Sequence, residues 1–296
     1  MKPHSPQHFP PIIYVFFAVL LWSTGGLLIK LTTLDSFSVN CGRSLFAAIV
    51  VAIFTYKKGL RPDAFTILTS ILYAGTLSCF VYATKNTTAA NAIFLQYTAP
   101  IYILILAPFV LREKFHISDL VTVILCIGGM SLFFFDTKQT ETAPNVYLGN
   151  IVALVSGVFF GLYILFLRHP RSLCKNPAVS VFYGNIIVVL LTAPFIFSHP
   201  PASITGTDIS AILFLGIFQI GLSYMLFTTG MAAGVRSLDA SIVGFIEPLF
   251  NPLWVFVFVG EEPSRWALLG GAIIVTTVAV HSIRQTLGRR NAQTAA

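Results

Sequence analysis

The chain has 296 residues, of which 56% are hydrophobic and 10% charged, with a mean hydropathy of +0.83 and a formal net charge of +7. Soluble domains average about 25% charged residues, so this composition excludes one and points to a chain that crosses a bilayer several times. The positive charge does not indicate nucleic acid, because the basic residues fall between apolar runs, where they set topology.

The N-terminal MKPHSPQHFPP, residues 1–11, is polar and proline-rich, and the apolar run after it lacks a small-residue cleavage site. It reads as a cytoplasmic tail before a retained first span. Windows of about 19 residues then give ten apolar segments, at 12–29, 38–56, 64–83, 89–111, 118–135, 146–167, 178–197, 208–230, 239–259 and 265–283. The breaks between them leave no room for a soluble domain, and the period-two alternation of a membrane β-barrel is absent. The cysteines, Cys41, Cys79, Cys126 and Cys174, are too dispersed for a disulfide framework or a metal site. No HExxH, phosphate-cradling loop or nucleophile constellation appears, so neither an enzyme, a cofactor site nor a nucleotide-driven pump is expected.

With the N-terminus placed in the cytoplasm, 13 of the 18 basic residues fall on that side, among them Lys57, Lys58, Arg61, Arg168, Arg171 and Arg265. Four, Lys30, Lys85, Lys138 and Arg236, fall on the other, and Arg43 lies inside the second span. The ninth span then starts from the outer side near Asp239. Both termini are expected in the cytoplasm, in a multi-pass protein of the plasma (inner) membrane.

An offset of 148 residues lays AIFLQYTAPIYILILAPFVLREK, from Ala92, over ASIVGFIEPLFNPLWVFVFVGEEPS, from Ala240. Pro100 falls on Pro248 and Glu113 on Glu261. Five spans per half is an odd number, so the halves must be inverted relative to each other. The fold class is therefore an all-α membrane protein of ten transmembrane helices in a 5+5 inverted repeat. Its parts are repeats at 12–135 and 146–284, an external linker at 136–145 and a cytoplasmic tail at 285–296. Inverted repeats with a site at their interface are the architecture of secondary transporters.

The order of LLWSTGGLLIK in the first span, RSLFAA in the second, NTTAANAIFLQYTAPIYILILAPFVLREK across the fourth and ASIVGFIEPLFNPLWVFVFVGEEPS across the ninth resembles EamA-type members of the drug/metabolite transporter superfamily. The resemblance covers essentially the whole chain. It implies secondary transport of small metabolites, commonly export of amino acids or related compounds, and one branch of similar length exports aromatic amino acids. A small-molecule substrate and the lipid bilayer are the partners it implies; protons are a candidate coupling ion from the depth and isolation of Glu247. An uncoupled facilitator, exchanger or channel for another metabolite is the alternative.

Glu247 stands out. At 1.5 Å per residue it lies about 12 Å into the ninth span, near the middle of a ~30 Å apolar core. A charge there costs about 2.5 to 3.5 kcal/mol on insertion scales, which makes such residues functional candidates. Three readings stand: a proton or substrate-amine site, a structural partner for a cation or polar group such as Arg43 or Lys30, or a carboxyl kept protonated by burial. Other polar and aromatic candidates at comparable depth are Trp22 in the first span, Ser78 and Tyr82 in the third and Gln96 and Tyr97 in the fourth. Tyr163 in the sixth, Gln219 and Tyr224 in the eighth and Asn251 in the ninth complete the set. Such groups turn inward because lipid offers them no hydrogen bonds. Arg43, about five residues into its span, is read as structural, shallow enough to snorkel or pair. His281 is read as interfacial, and Glu113 as a loop ion pair with its neighbours Arg112 and Lys114.

Overall fold

A computed structural model describes residues 10–113, 116–132, 144–259 and 265–294, and its regular structure among these is helical. Seven helices are long and apolar enough to cross a membrane: α1 Pro11–Leu31, α2 Ser36–Thr55, α3 Ala64–Asn86, α4 Ala89–Val110, α6 Val146–Leu167, α7 Ala178–Ser198 and α8 Gly206–Ala232. Between and after them lie α5 Ile117–Ser131, α9 in two pieces, Ser237–Gly244 and Ile246–Val259, and α10 Arg265–Thr294, whose apolar part is Leu268–Arg284. Every apolar window of the sequence coincides with one of these helices; 133–135, at the end of the fifth window, are outside the described residues.

Side chains in the short connections start the helices. Asp35 accepts from the backbone N–H groups of Phe37 and Ser38 at the head of α2, and Asp63 does so from Thr66 at the head of α3. Thr88 caps α4, Asn145 caps α6, and Thr205 with Asp208 forms a reciprocal capping box on α8. Inside the helices many hydroxyls fold back on the preceding turn, as Thr76 does on Leu72 and Thr84 on Phe80, which satisfies them within their own helix. The outward faces are apolar and bare, with Phe109 and Phe197 more than 80% exposed.

Contacts between connections sort into two ends. At one, Thr33 N–H and Oγ1 donate to Asp208, Lys85 Nζ donates to Thr32 and Asn145 N–H donates to the Asn86 carbonyl. At the other, Lys175 pairs with Asp63 at 2.8 Å, Tyr183 donates to the Leu60 carbonyl, and Arg168 donates to the Met231 carbonyl. Arg236 meets Asp119 at 3.0 Å and Glu113 at 3.9 Å at this second end. The expectation that Arg236 faces away from Glu113 is therefore wrong. The contacts of Arg236 put the α8–α9 connection at the same end as the α4–α5 connection, so α9 starts where α4 finishes. Arg265 changes sides with it, since it lies 16 residues, about 24 Å of helix, from His281, which binds Asp239. The tally of basic residues, 13 against 4, is unchanged by this exchange.

Two helices break at positions 148 apart. α4 is interrupted at Tyr97–Thr98 ahead of Pro100, and α9 at Phe245 ahead of Pro248. A proline cannot donate to the carbonyl four residues back, here Gln96 and Gly244. Helix α6 closes over the first break. A Cβ on its Gly157 would lie 2.9 Å from the Gln96 carbonyl and 2.7 Å from Thr98 Oγ1, so only glycine fits. The ring of Tyr97 then reaches that of Phe245 at 5.5 Å, so matched positions of the two halves touch.

Candidate functional site

The interruptions place the polar side chains. The break in α9 brings Glu247 to the centre of the bundle, 5% exposed, and the break in α4 turns Tyr97 toward it. Tyr97 Oη donates to Glu247 Oε2 at 2.7 Å. Helix α1 is interrupted at Ser23–Thr24, just past Trp22. In α8, residues Leu215–Leu222 wind in wide π-type turns, a feature found mostly at functional sites, and Gln219 projects from them. It passes over Gly25, where a Cβ would stand 2.7 Å from its Nε2.

These groups enclose a central cavity of about 30 Å³, room for roughly one water. Its polar wall is Glu247, Gln96, Gln219, Thr76 and Arg43, and its apolar wall includes Trp22, Phe80, Phe160 and Tyr224. Gln96 Nε2 donates to Ser156 Oγ at 2.7 Å, and Ser156 donates to the Thr76 carbonyl at 3.0 Å, joining α4, α6 and α3. Trp22 packs on Tyr224 at 4.8 Å and on Phe160 at 5.7 Å between ring centroids. Tyr73 lies edge-on to Tyr224 at 4.7 Å and takes a hydrogen bond from Asn185.

Of the residues singled out from sequence, Trp22, Gln96, Gln219, Tyr224 and Glu247 line this cavity, and Tyr97 holds Glu247 from behind. Tyr163 is fully buried one layer back, 5.3 Å from Tyr73. Ser78 and Tyr82 are not in the cavity wall, although Ser78 supports it by accepting from Asn40 Nδ2 at 3.1 Å. The side chain of Asn251 is outside the described residues. Sequence reasoning missed Arg43. It neither snorkels nor pairs: it is 0% exposed, its Nε donates to Asn40 Oδ1 and its Nη2 to the Leu77 carbonyl, both at 3.2 Å. The available signal was Asn40, Arg43 and Ser44 at helical spacing on one face of α2. Among the described residues, Glu247 has no ion-pair partner, so neither Arg43 nor Lys30 neutralises it directly.

A wider apolar cleft of about 450 Å³ runs from Leu31 and Thr207 to Trp254 at mid-depth, between α1, α8 and α9. Trp254 Nε1 donates to Ser23 Oγ at 2.9 Å, directly beside Trp22. The opposite end is closed by Arg236, which reaches Asp119, Glu113 and also Asp239 at 3.6 Å. His281 completes this cluster with Nε2 3.0 Å from Asp239 and Nδ1 3.5 Å from Thr122; it is buried, not interfacial. Burial pushes the Glu113 carboxyl above its usual range despite the nearby Arg236. Burial also works against the Arg236 charge, but Asp239, Asp119 and Glu113 outweigh it and hold the guanidinium protonated.

The chain matches the EamA-like transporter family at residues 9–135 and 147–283. Relatives include the "Uncharacterized transporter YxxF" of Bacillus subtilis, 22% identical over 95% of this chain and 92% of its own. Human "Solute carrier family 35 member G1" is 22% identical over 93% of this chain and 79% of its own. A "Probable terminal-alkyne amino-acid exporter" of Streptantibioticus cattleyicolor is 22% identical over 87% and 88%. A crystal structure 21% identical in sequence superposes with a TM-score of 0.79, covering 95% of this chain and 98% of that one, a likeness of fold.

Proposed function

We propose, from the premise that this chain belongs to the EamA-like transporter family, that it is a secondary transporter exporting amino acids or similar small amphiphilic metabolites. It works by alternating access around the central cavity. The carrying observation is that cavity itself: Glu247 at mid-membrane with Gln96, Gln219 and aromatic rings, where two broken helices cross. Such a wall suits a zwitterionic or planar solute, through hydrogen bonds and stacking. At about 30 Å³ the cavity is far below the ≈ 300–1,000 Å³ of ligand pockets, so its walls must separate to admit a solute.

The ten helices are read as ten spans in a 5+5 inverted repeat, residues 12–135 and 146–284. In support, α4 and α9 run in opposite directions and break at matched positions, Tyr97 and Phe245. The end carrying Arg236 and Lys175 is read as the cytoplasmic one from its excess of Lys and Arg, with both termini on that side of the plasma membrane. In the outward phase the apolar cleft at Leu31 and Trp254 widens toward the cavity while the Arg236 cluster stays shut; the inward phase opens that cluster. Glu247 is the proton-coupling group, exchanging its Tyr97 hydrogen bond for a proton or a substrate amine.

Uptake of labelled amino acids into proteoliposomes preloaded with unlabelled amino acids and amphiphilic metabolites, with and without a pH gradient, tests this reading. Saturable flux stimulated from the far side supports a carrier. Flux that rises without limit supports a channel.

A further inference from the structure

Among the described residues, three buried polar atoms of cavity-lining side chains have no hydrogen-bond partner: Arg43 Nη1, Trp22 Nε1 and Gln219 Oε1. Two are donors and one is an acceptor, and each belongs to a buried side chain. Arg43 is the most costly of the three. A guanidinium taken fully out of water needs an opposite charge, and among the described residues no carboxylate comes within ion-pair distance of it. Nor is it free to seek one. Asn40 holds its Nε and the Leu77 carbonyl its Nη2, while Asn40 is in turn anchored on Ser78. The guanidinium is thus fixed through two nitrogens, and its third, Nη1, is left without a partner in a residue that lines the cavity.

We propose that Arg43 is the anion receptor of the central site and that the transported solute carries a single carboxylate. This deepens the transporter reading and rests on it. A planar guanidinium nitrogen and the indole N–H of Trp22, both from residues lining the one cavity, offer two donors to the two oxygens of a carboxylate. A dianion such as a phosphate monoester fits badly. Arg43 is the one basic residue among those lining the cavity, and Glu247 on the same wall repels a second negative charge. Glu247 and Gln219 Oε1 remain to receive donors from the rest of the solute, as an α-amino group would supply.

The test is counterflow in proteoliposomes holding the full chain. Labelled phenylalanine, leucine and glutamine are each challenged with the unlabelled amino acid, its carboxamide and its decarboxylated amine. In the wild type the amide and amine are expected to compete about tenfold to a hundredfold less well than the acid, the size of one charge-assisted hydrogen bond. Arg43→Gln is expected to erase that preference and Arg43→Lys to keep part of it, with helical circular dichroism confirming that each folds. Saturable counterflow in which amide and acid compete equally overturns the Arg43 assignment and leaves the carrier reading standing, even if Arg43→Gln fails to fold. A folded Arg43→Gln that keeps the preference overturns it too. Absence of saturable counterflow with every probe overturns the carrier reading, and the Arg43 assignment falls with it.

Discussion

Tyr97 and Glu247 are joined by a 2.7 Å hydrogen bond between two helices that are both broken at that level. The bond places a tyrosine hydroxyl against a carboxylate buried in the bundle, 150 residues apart in the chain. Tyr97→Phe removes the donor and leaves a buried carboxylate oxygen unmet, at about 1 to 3 kcal/mol. We expect a lower melting temperature in detergent and a shifted pH optimum of exchange. Glu247→Gln can still accept from Tyr97, so it is expected to fold normally and to transport with a flattened pH dependence. Unchanged pH dependence in that variant would remove Glu247 from coupling.

Gly157 lies against the broken turn of α4. A side chain there meets the Gln96 carbonyl and Thr98 Oγ1 well inside contact distance. Gly157→Leu is expected to cost about 1 to 3 kcal/mol by overpacking and to lower the melting temperature. Gly128→Leu, with open space at its Cβ, is the control, expected to change it little.

Arg236 and Glu113 stand 3.9 Å apart, yet their substitutions are expected to act in opposite directions. Arg236→Ala leaves Asp119, 1% exposed, without its cation, while Asp239 keeps His281, at about 3 kcal/mol. Glu113 has a raised pKa, so its favourable contribution is present below the ordinary value of about 4.3 and is lost as pH rises through the raised one. Glu113→Gln is therefore expected to stabilise at pH 7 and to make no difference near pH 4. Melting curves of both variants against pH check the pair of signs.

Asp63 shows the reverse. Its hydrogen bond to Lys175, with those from the Thr66 hydroxyl and backbone, holds the carboxyl well below the usual range. Its contribution is present above the ordinary carboxylate value and is lost as pH falls through the depressed one. Asp63→Asn is expected to lower stability at pH 7 and to lose this acid-sensitive component.

Orientation can be read by labelling. Cys174 is exposed beside Lys175, at the end assigned to the cytoplasm. A membrane-impermeant maleimide added to intact cells is expected to leave Cys174 unmodified and to react with a cysteine placed at exposed Ser203. The opposite pattern would invert the topology.

The long apolar runs made the helices legible, because lipid demands about 20 apolar residues of each crossing. The paired Pro100 and Pro248 marked where two helices break. Depth along a helix was legible, but its facing was not. Ser78 and Tyr82 sit at suitable depth and lie outside the cavity wall, whereas Arg43 looked shallow and is fully enclosed. The π-type turns of α8 were not legible in the sequence, nor was the passage of the Gln219 side chain over Gly25 of another helix. Arg236 needed only strict alternation of the crossings to be placed beside Glu113.

The most direct measurement is the ratio of labelled amino-acid uptake into proteoliposomes preloaded with the same unlabelled amino acid to uptake into empty ones. A carrier that must turn its loaded site across the membrane gives saturable uptake with a ratio well above one, and Glu247→Gln changes how that ratio responds to pH. A ratio of one for every amino acid, with uptake linear in concentration, would contradict alternating access around this cavity.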